Sequence, residues 1–131
     1  MKPSRVLIVD DDLVLNFASC ETLKDSGFDA IGVHCAAAAF EAMAKGAELA
    51  ALVTDIDLGT GPDGFDIAGH ARAANPHLHV VFISGTAGAR HRAKGVEGAE
   101  FLGKPLRPTE IVEALQRLVH RKRSSSGESN G

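Results

Sequence analysis

The sequence predicts an α/β fold, a parallel sheet of five strands with helices on both faces. Three observations predict it. Short apolar runs recur at Arg5–Val9, Phe28–His34, Leu49–Thr54, His79–Ile83 and Glu100–Gly103. Stretches with helical spacing separate them, and that alternation implies parallel strands joined by crossover helices. Residues that carry chemistry stand where these runs stop: Asp10-Asp11-Asp12, Asp55, Ser84-Gly85 and Lys104.

Val6-Leu7-Ile8-Val9 is apolar without alternation, as in a strand buried on both faces. A helix fits from about Asp12 to Asp25, with one of the three aspartates as its cap and Ser26-Gly27 as its stop. Its expected apolar face is Leu13, Leu15, Phe17, Ala18 and Leu23. The second strand leads into an alanine-rich helix, Ala36 to Lys45, closed by Gly46. The third strand rises into Asp55, and a turn rich in glycine (Gly59, Gly61, Gly64) opens a helix from about Phe65 to Ala74, stopped by Asn75-Pro76. A small-residue helix is expected over Ala87 to Lys94, before the Gly95–Gly98 turn. The last strand ends in Lys104-Pro105. Pro108-Thr109-Glu110 then starts a helix capped near Arg107 or Thr109, with Ile111, Val112, Leu115, Leu118 and Val119 on one face.

The chain has 131 residues, which fits one domain at roughly 100–200 residues each. It is expected to span 1–122, with 123–131 a disordered polar tail. A net charge of -3 gives no reason to expect nucleic acid or an acidic membrane as a partner. The basic run Arg121-Lys122-Arg123 reads as a solvated helix end. Cys20 and Cys35 form no zinc or C-x-x-C pattern and read as free, buried thiols of a reducing compartment. No apolar stretch is long enough to span a bilayer and no signal peptide precedes the first strand, so the expectation is a soluble, cytoplasmic protein. The six histidines show no ligand spacing.

In a parallel sheet with right-handed crossovers all strand ends open on one edge, where such sheets place their ligands. Asp10, Asp11, Asp55, Ser84 and Lys104 are therefore expected together. Two like charges about 4 Å apart repel by roughly 4 kcal/mol at an effective dielectric of about 20. Gathered carboxylates thus call for a cation or a proton, and oxygen ligands favour a hard cation such as Mg²⁺, Ca²⁺ or Mn²⁺. Lys104 is a point charge suited to a phosphoryl oxygen. Ser84 can donate to another, and Gly85 leaves room beside it. This set fits in-line attack by the Asp55 carboxylate on a phosphoryl group, giving an acyl phosphate.

The same residues resemble the receiver domains of two-component response regulators, over about Arg5 to Val119. The resemblance is carried by Val-Leu-Ile-Val-Asp10-Asp11-Asp12, Asp55 followed by Asp63-Gly64, Ser84, Phe101 three residues before the lysine, and Lys104-Pro105. It implies a flavodoxin-like, doubly wound sheet of strand order 2-1-3-4-5 in a stand-alone single-domain regulator. It implies Asp55 as phosphoacceptor and Mg²⁺, with Mn²⁺ as a substitute, held by Asp11, Asp55, the Asp57 backbone carbonyl and, through water, Asp10. Ser84, Gly85 and Lys104 would bind the phosphoryl group, and Ser84 with Phe101 would form the switch that remodels the face of the fourth helix, fifth strand and fifth helix. The partners implied are a sensor histidine kinase or histidine phosphotransfer protein and a downstream protein target, with no nucleic acid and no membrane, the chain being a monomer or weak homodimer. It would be no turnover enzyme, only a domain catalysing its own phosphorylation and slow dephosphorylation. Two features depart from the family pattern: the loop after Asp55 is one residue longer, with Leu-Gly-Thr-Gly-Pro in place of Leu-Pro-Gly, and Asp57 adds a negative charge.

Two alternatives stand beside this reading. One is a receiver-like binding module that does not use phosphate. The other is a phosphatase, since Asp55-Ile56-Asp57 also resembles the Asp-x-Asp motif of haloacid-dehalogenase-type enzymes, although Gly59 stands where those have Thr or Val.

Overall fold

Each apolar run becomes a strand. The structure, a computed structural model, describes residues 4–46, 48–85 and 95–129, with 121–129 as backbone alone. In order the elements are β1 (Arg5–Val9), α1 (Leu13–Asp25), β2 (Asp29–Val33), α2 (Ala36–Ala44), β3 (Ala51–Asp55), α3 (Gly64–Ala74), β4 (His79–Ser84), β5 (Glu100–Gly103) and α4 (Pro108–Ser129). The expected helix over Ala87 to Lys94 lies outside the described residues. All neighbouring strands pair in parallel, in the order β2-β1-β3-β4-β5. This is the doubly wound fold that the sequence predicts. Among the described residues no helix is long and apolar enough to cross a membrane.

Strand side chains alternate between faces, so each apolar run feeds two cores. Val6, Ile8, Val53, Val81 and Ile83 pack with Leu23 of α1 and with Ile111 and Leu115 of α4. Leu7, Val9, Leu52, Val80 and Phe82 pack against α2 and α3. The continuous apolar runs are thus explained by burial on both faces.

The turns follow local chemistry. Asp12 caps α1, its side chain accepting from the Leu15 N–H at 3.1 Å. Asp63 caps α3 in a reciprocal box with Asp66, which satisfies two otherwise unpaired N–H groups. Gly59 and Gly61, at φ of 90° and 93°, carry the long loop after β3 through the left-handed region.

Two expectations are corrected. The apolar face predicted for α1 turns inward only in part, through Leu23, with Leu15 and Ala18 half-buried. Asn16, Ser19 and Leu23 are its buried residues, while Leu13, Val14 and Phe17 are 62%, 80% and 70% exposed. The physical reason is that Asn16 finds backbone carbonyls beneath the helix, and its position fixes which face looks out. The last helix runs to Ser129. No proline follows Pro108, and Gly127 alone costs a helix only about 1 kcal/mol. Both cysteines are free, but Cys20 is half-buried and Cys35, at the α2 N-cap, is exposed.

Gly64 joins fold to site. A Cβ there would run into the Asp55 carbonyl oxygen and the Ile56 backbone. Gly64→Ala is expected to destabilise the chain by about 2 kcal/mol in urea unfolding. Gly69→Ala, in open space on the same helix, should leave stability unchanged or raise it by up to about 1 kcal/mol. Equal effects at the two glycines would refute the close approach.

Candidate functional site at the carboxyl edge of the sheet

The central strands β1 and β3 end side by side, with Val9 paired to Thr54, so Asp10 and Asp55 follow from adjacent strands. Asp55 pairs across to Ile83, which puts Ser84 one step beyond it on β4. Ser84 pairs with Gly103, and its carbonyl accepts from the Lys104 N–H at 2.8 Å. Register alone therefore brings the ends of four strands together, as the sequence implies.

Lys104 reaches back along this edge. Its Nζ lies 2.8 Å from Asp55 Oδ2 and 3.5 Å from Asp10 Oδ1. Asp55 Oδ1 accepts from the Asp57 N–H at 3.3 Å. Asp10, Asp11 and Asp55 each offer a carboxylate oxygen within 4.8 Å of the others, Asp11 from the exposed side. Asp10 Oδ1 also accepts from the Asp12 N–H at 2.9 Å, but the buried Asp10 Oδ2 has no hydrogen-bond partner.

Burial sets the electrostatics. Taking Asp10 out of water pushes its carboxyl above the ordinary 3.8, against the Asp12 N–H and Lys104, which favour the charged form. Burial pulls the Lys104 amine down, yet its bond to Asp55 and the field of both carboxylates outweigh that and leave it raised. A buried carboxylate oxygen without a donor, beside two further carboxylates, suits a hard cation with its shell of water. Asp10, Asp11 and Asp55 are the residues that could hold it.

The remaining predicted residues fall as follows. Gly85 is exposed, and a Cβ there would meet nothing within 4 Å. The Asp57 side chain accepts from the Gly59 N–H at 3.3 Å. Phe101 is half-buried on the α2–α3 side of the sheet, its ring 5.1 Å from that of Phe82, which in turn lies 4.9 Å from Phe65. The Lys104–Pro105 peptide is cis.

Sequence reasoning missed two features. One is the apolar triplet Leu13, Val14 and Phe17, exposed on the first turns of α1 beside the acidic residues. The other is Asn16, which is 2% exposed and hydrogen-bonded to the Asp10 carbonyl. A signal for Asn16 existed in Gly32, inside β2, since a glycine within a strand marks a close approach.

The raised Asp10 carboxyl gives a signed prediction. A folded-state value above the unfolded one favours the protonated form, so this contribution to stability is fully present below 3.8 and is lost as pH rises through the folded value. In metal-free protein Asp10→Asn should therefore melt higher than wild type at neutral pH. The difference should shrink as pH falls towards the carboxylate range. A metal-free Asp10→Asn that melts lower than wild type at neutral pH would contradict it.

Comparison with known proteins agrees with this geometry. The response regulator receiver domain family matches residues 6–116. The chain is 33% identical to the transcriptional regulatory protein AruR of Pseudomonas aeruginosa, over 91% of this chain and 50% of that protein. It is 27% identical to the response regulator protein FleR of the same organism, over 87% of this chain and 24% of that protein. The chain thus spans half or less of these curated relatives. Among solved structures, a response regulator receiver protein from Sinorhizobium medicae superposes with a TM-score of 0.85 at 32% identity, covering 91% of this chain and 96% of that one. A receiver domain protein from Clostridium thermocellum shares the fold at a TM-score of 0.78 and 20% identity, covering 92% and 97%. With the acidic pocket, the strand order and a family match over most of its length, the chain belongs to the response-regulator receiver domain family.

Proposed function

We propose that this receiver accepts a phosphoryl group from a protein phosphohistidine onto Asp55, with Mg²⁺, and that the acyl phosphate alters partner binding or is passed on. The observation that carries this reading is the Asp55 carboxylate itself. It is buried, held at 2.8 Å by Lys104, and set within 4.8 Å of two further aspartates at the edge where a phosphoryl group can approach.

In the step, an Asp55 carboxylate oxygen forms a bond to phosphorus as the phosphorus–nitrogen bond of the donor breaks. The electron pair of that bond stays on the imidazole nitrogen. Lys104, already at Asp55 Oδ2, is positioned to shift its charge to a phosphoryl oxygen, with the Ser84 hydroxyl as a second donor. Bound at Asp11 and Asp55, Mg²⁺ would supply charge neutralisation at the phosphoryl oxygens. One chain forms one acyl phosphate, so the chemistry is a signal and not substrate turnover.

Asp55 receives phosphate from a protein donor only while that donor is docked, and the exposed triplet Leu13, Val14 and Phe17 supports docking of such a donor there. Such apolar residues beside a charged pocket are a recognition feature more than a packing one. Movement of Ser84 and Phe101 on phosphorylation is the switch this reading contains, with the Phe65–Phe82–Phe101 rings as its packing.

Incubation with acetyl phosphate, followed by intact mass, tests the acceptor. Wild type should gain one phosphate with Mg²⁺ and none with EDTA, and Asp55→Ala none at all; a gain that survives Asp55→Ala would refute the assignment. Phe17→Ser should slow transfer from a phosphorylated donor protein about tenfold, as for loss of an interface aromatic, while acetyl phosphate labelling is unchanged. Equal slowing with both donors would assign Phe17 to folding instead of docking.

A further inference from the structure

We infer that Asn16 is a positioning residue for the acidic loop, and that its fit against Gly32 sets the affinity of the pocket for its divalent cation. The inference rests on the reading of Asp10, Asp11 and Asp55 as the cation's holders.

The ladder between β1 and β2 ends at the pair Val9 and Val33, and the Asp10 N–H makes the last bond, to Val33 O at 3.1 Å. Beyond it the chain must turn away from the sheet while keeping Asp10 and Asp11 aimed at Asp55. Asn16 supplies what the ladder no longer does. Its Nδ2 donates to Asp10 O at 3.0 Å and to Val33 O at 2.8 Å, using both amide hydrogens on two strands at once. Its own backbone N–H donates to Asp12 O at 2.9 Å. One residue of α1 therefore bonds both ends of the acidic triplet.

The amide has one orientation. Cys20 Sγ lies 3.7 Å from Oδ1 as a thiol donor, and His34 Nδ1 lies 3.4 Å from both Nδ2 and Asp10 O. Gly32 leaves the space that Oδ1 occupies, because a Cβ there would overlap it and crowd Cys20. A polar residue is thus buried in the first turns of α1 at a place where a leucine would pack, with Leu13 and Phe17 turned outward as a result. Outer residues that orient ligands commonly change metal affinity when removed, by about 10–100-fold. A buried amide that bonds two carbonyls costs little to retain and much to lose.

The test is Mg²⁺ titration of the full chain, read by the amide resonances of Asp11 and Asp12 and by isothermal calorimetry, with melting temperature as a control. Asn16→Ala should weaken Mg²⁺ binding about tenfold. Gly32→Ala, which displaces the amide from the β2 side while the sequence of α1 is unchanged, should weaken it comparably. The double variant should bind no more weakly than Asn16→Ala, because the overlap with the amide is then gone and only the end of the Cys20 side chain has to give way. Folded variants that bind Mg²⁺ as wild type does would overturn the inference, and Gly32→Ala decides alone should Asn16→Ala not fold. Loss in Asp11→Asn alone, with the Asn16 and Gly32 variants unchanged, would overturn this inference and keep the proposed function. A wild type without any Mg²⁺ response would overturn both.

Discussion

The ion pair between Asp55 and Lys104, 2.8 Å long, holds opposite charges at the end of the sheet's central strand. Burial makes it a constraint and not a surface decoration. Asp55 is 5% exposed and Asp10 is 1% exposed, so neither carboxylate can draw on bulk water. Among the described residues, one ammonium meets two buried carboxylates, with a third carboxylate at the rim. The excess negative charge is what the pocket leaves for a cation to neutralise. Much of the fold nearby serves to keep that arrangement rigid. The register of β1, β3 and β4 sets the carboxylates and Ser84, and the start of α3 closes against the Asp55 carbonyl through Gly64.

The two faces of the sheet have different tasks around this edge. On one, α1 and α4 bury branched side chains and bring the acidic loop under control of Asn16. On the other, Phe65, Phe82 and Phe101 form a row of touching rings from the start of α3 to β5. A row of aromatics in contact transmits displacement because packed cores resist continuous deformation. That row links the loop after Asp55 to the strand that leads into Lys104. The orientation of α1 leaves an apolar triplet exposed in the helix that follows the acidic residues.

Most of the sheet was legible in the sequence, because strands buried on both faces write themselves as unbroken apolar runs. Val6 to Val9 and Val80 to Ile83 are such runs, and their ends predict the edge that carries Asp10, Asp55, Ser84 and Lys104. The helix faces were less legible. The α1 residues Leu13 and Phe17 count as core by hydrophobicity, yet Asn16, tied to carbonyls contributed by two strands, decides the rotation of the helix. Periodicity registers apolar spacing and is blind to a buried amide. The turn at Asp57 was likewise beyond reach, since its direction depends on the glycines at 59 and 61 adopting left-handed backbone.

The most direct test of the central claim is to locate the phosphate chemically. Protein labelled by acetyl phosphate with Mg²⁺ is reduced with borohydride, which converts an aspartyl phosphate to homoserine, and is then digested and sequenced by tandem mass spectrometry. The account predicts homoserine at position 55 and at no other aspartate. Homoserine at position 10 or 11, or phosphate retained on a histidine, would contradict it.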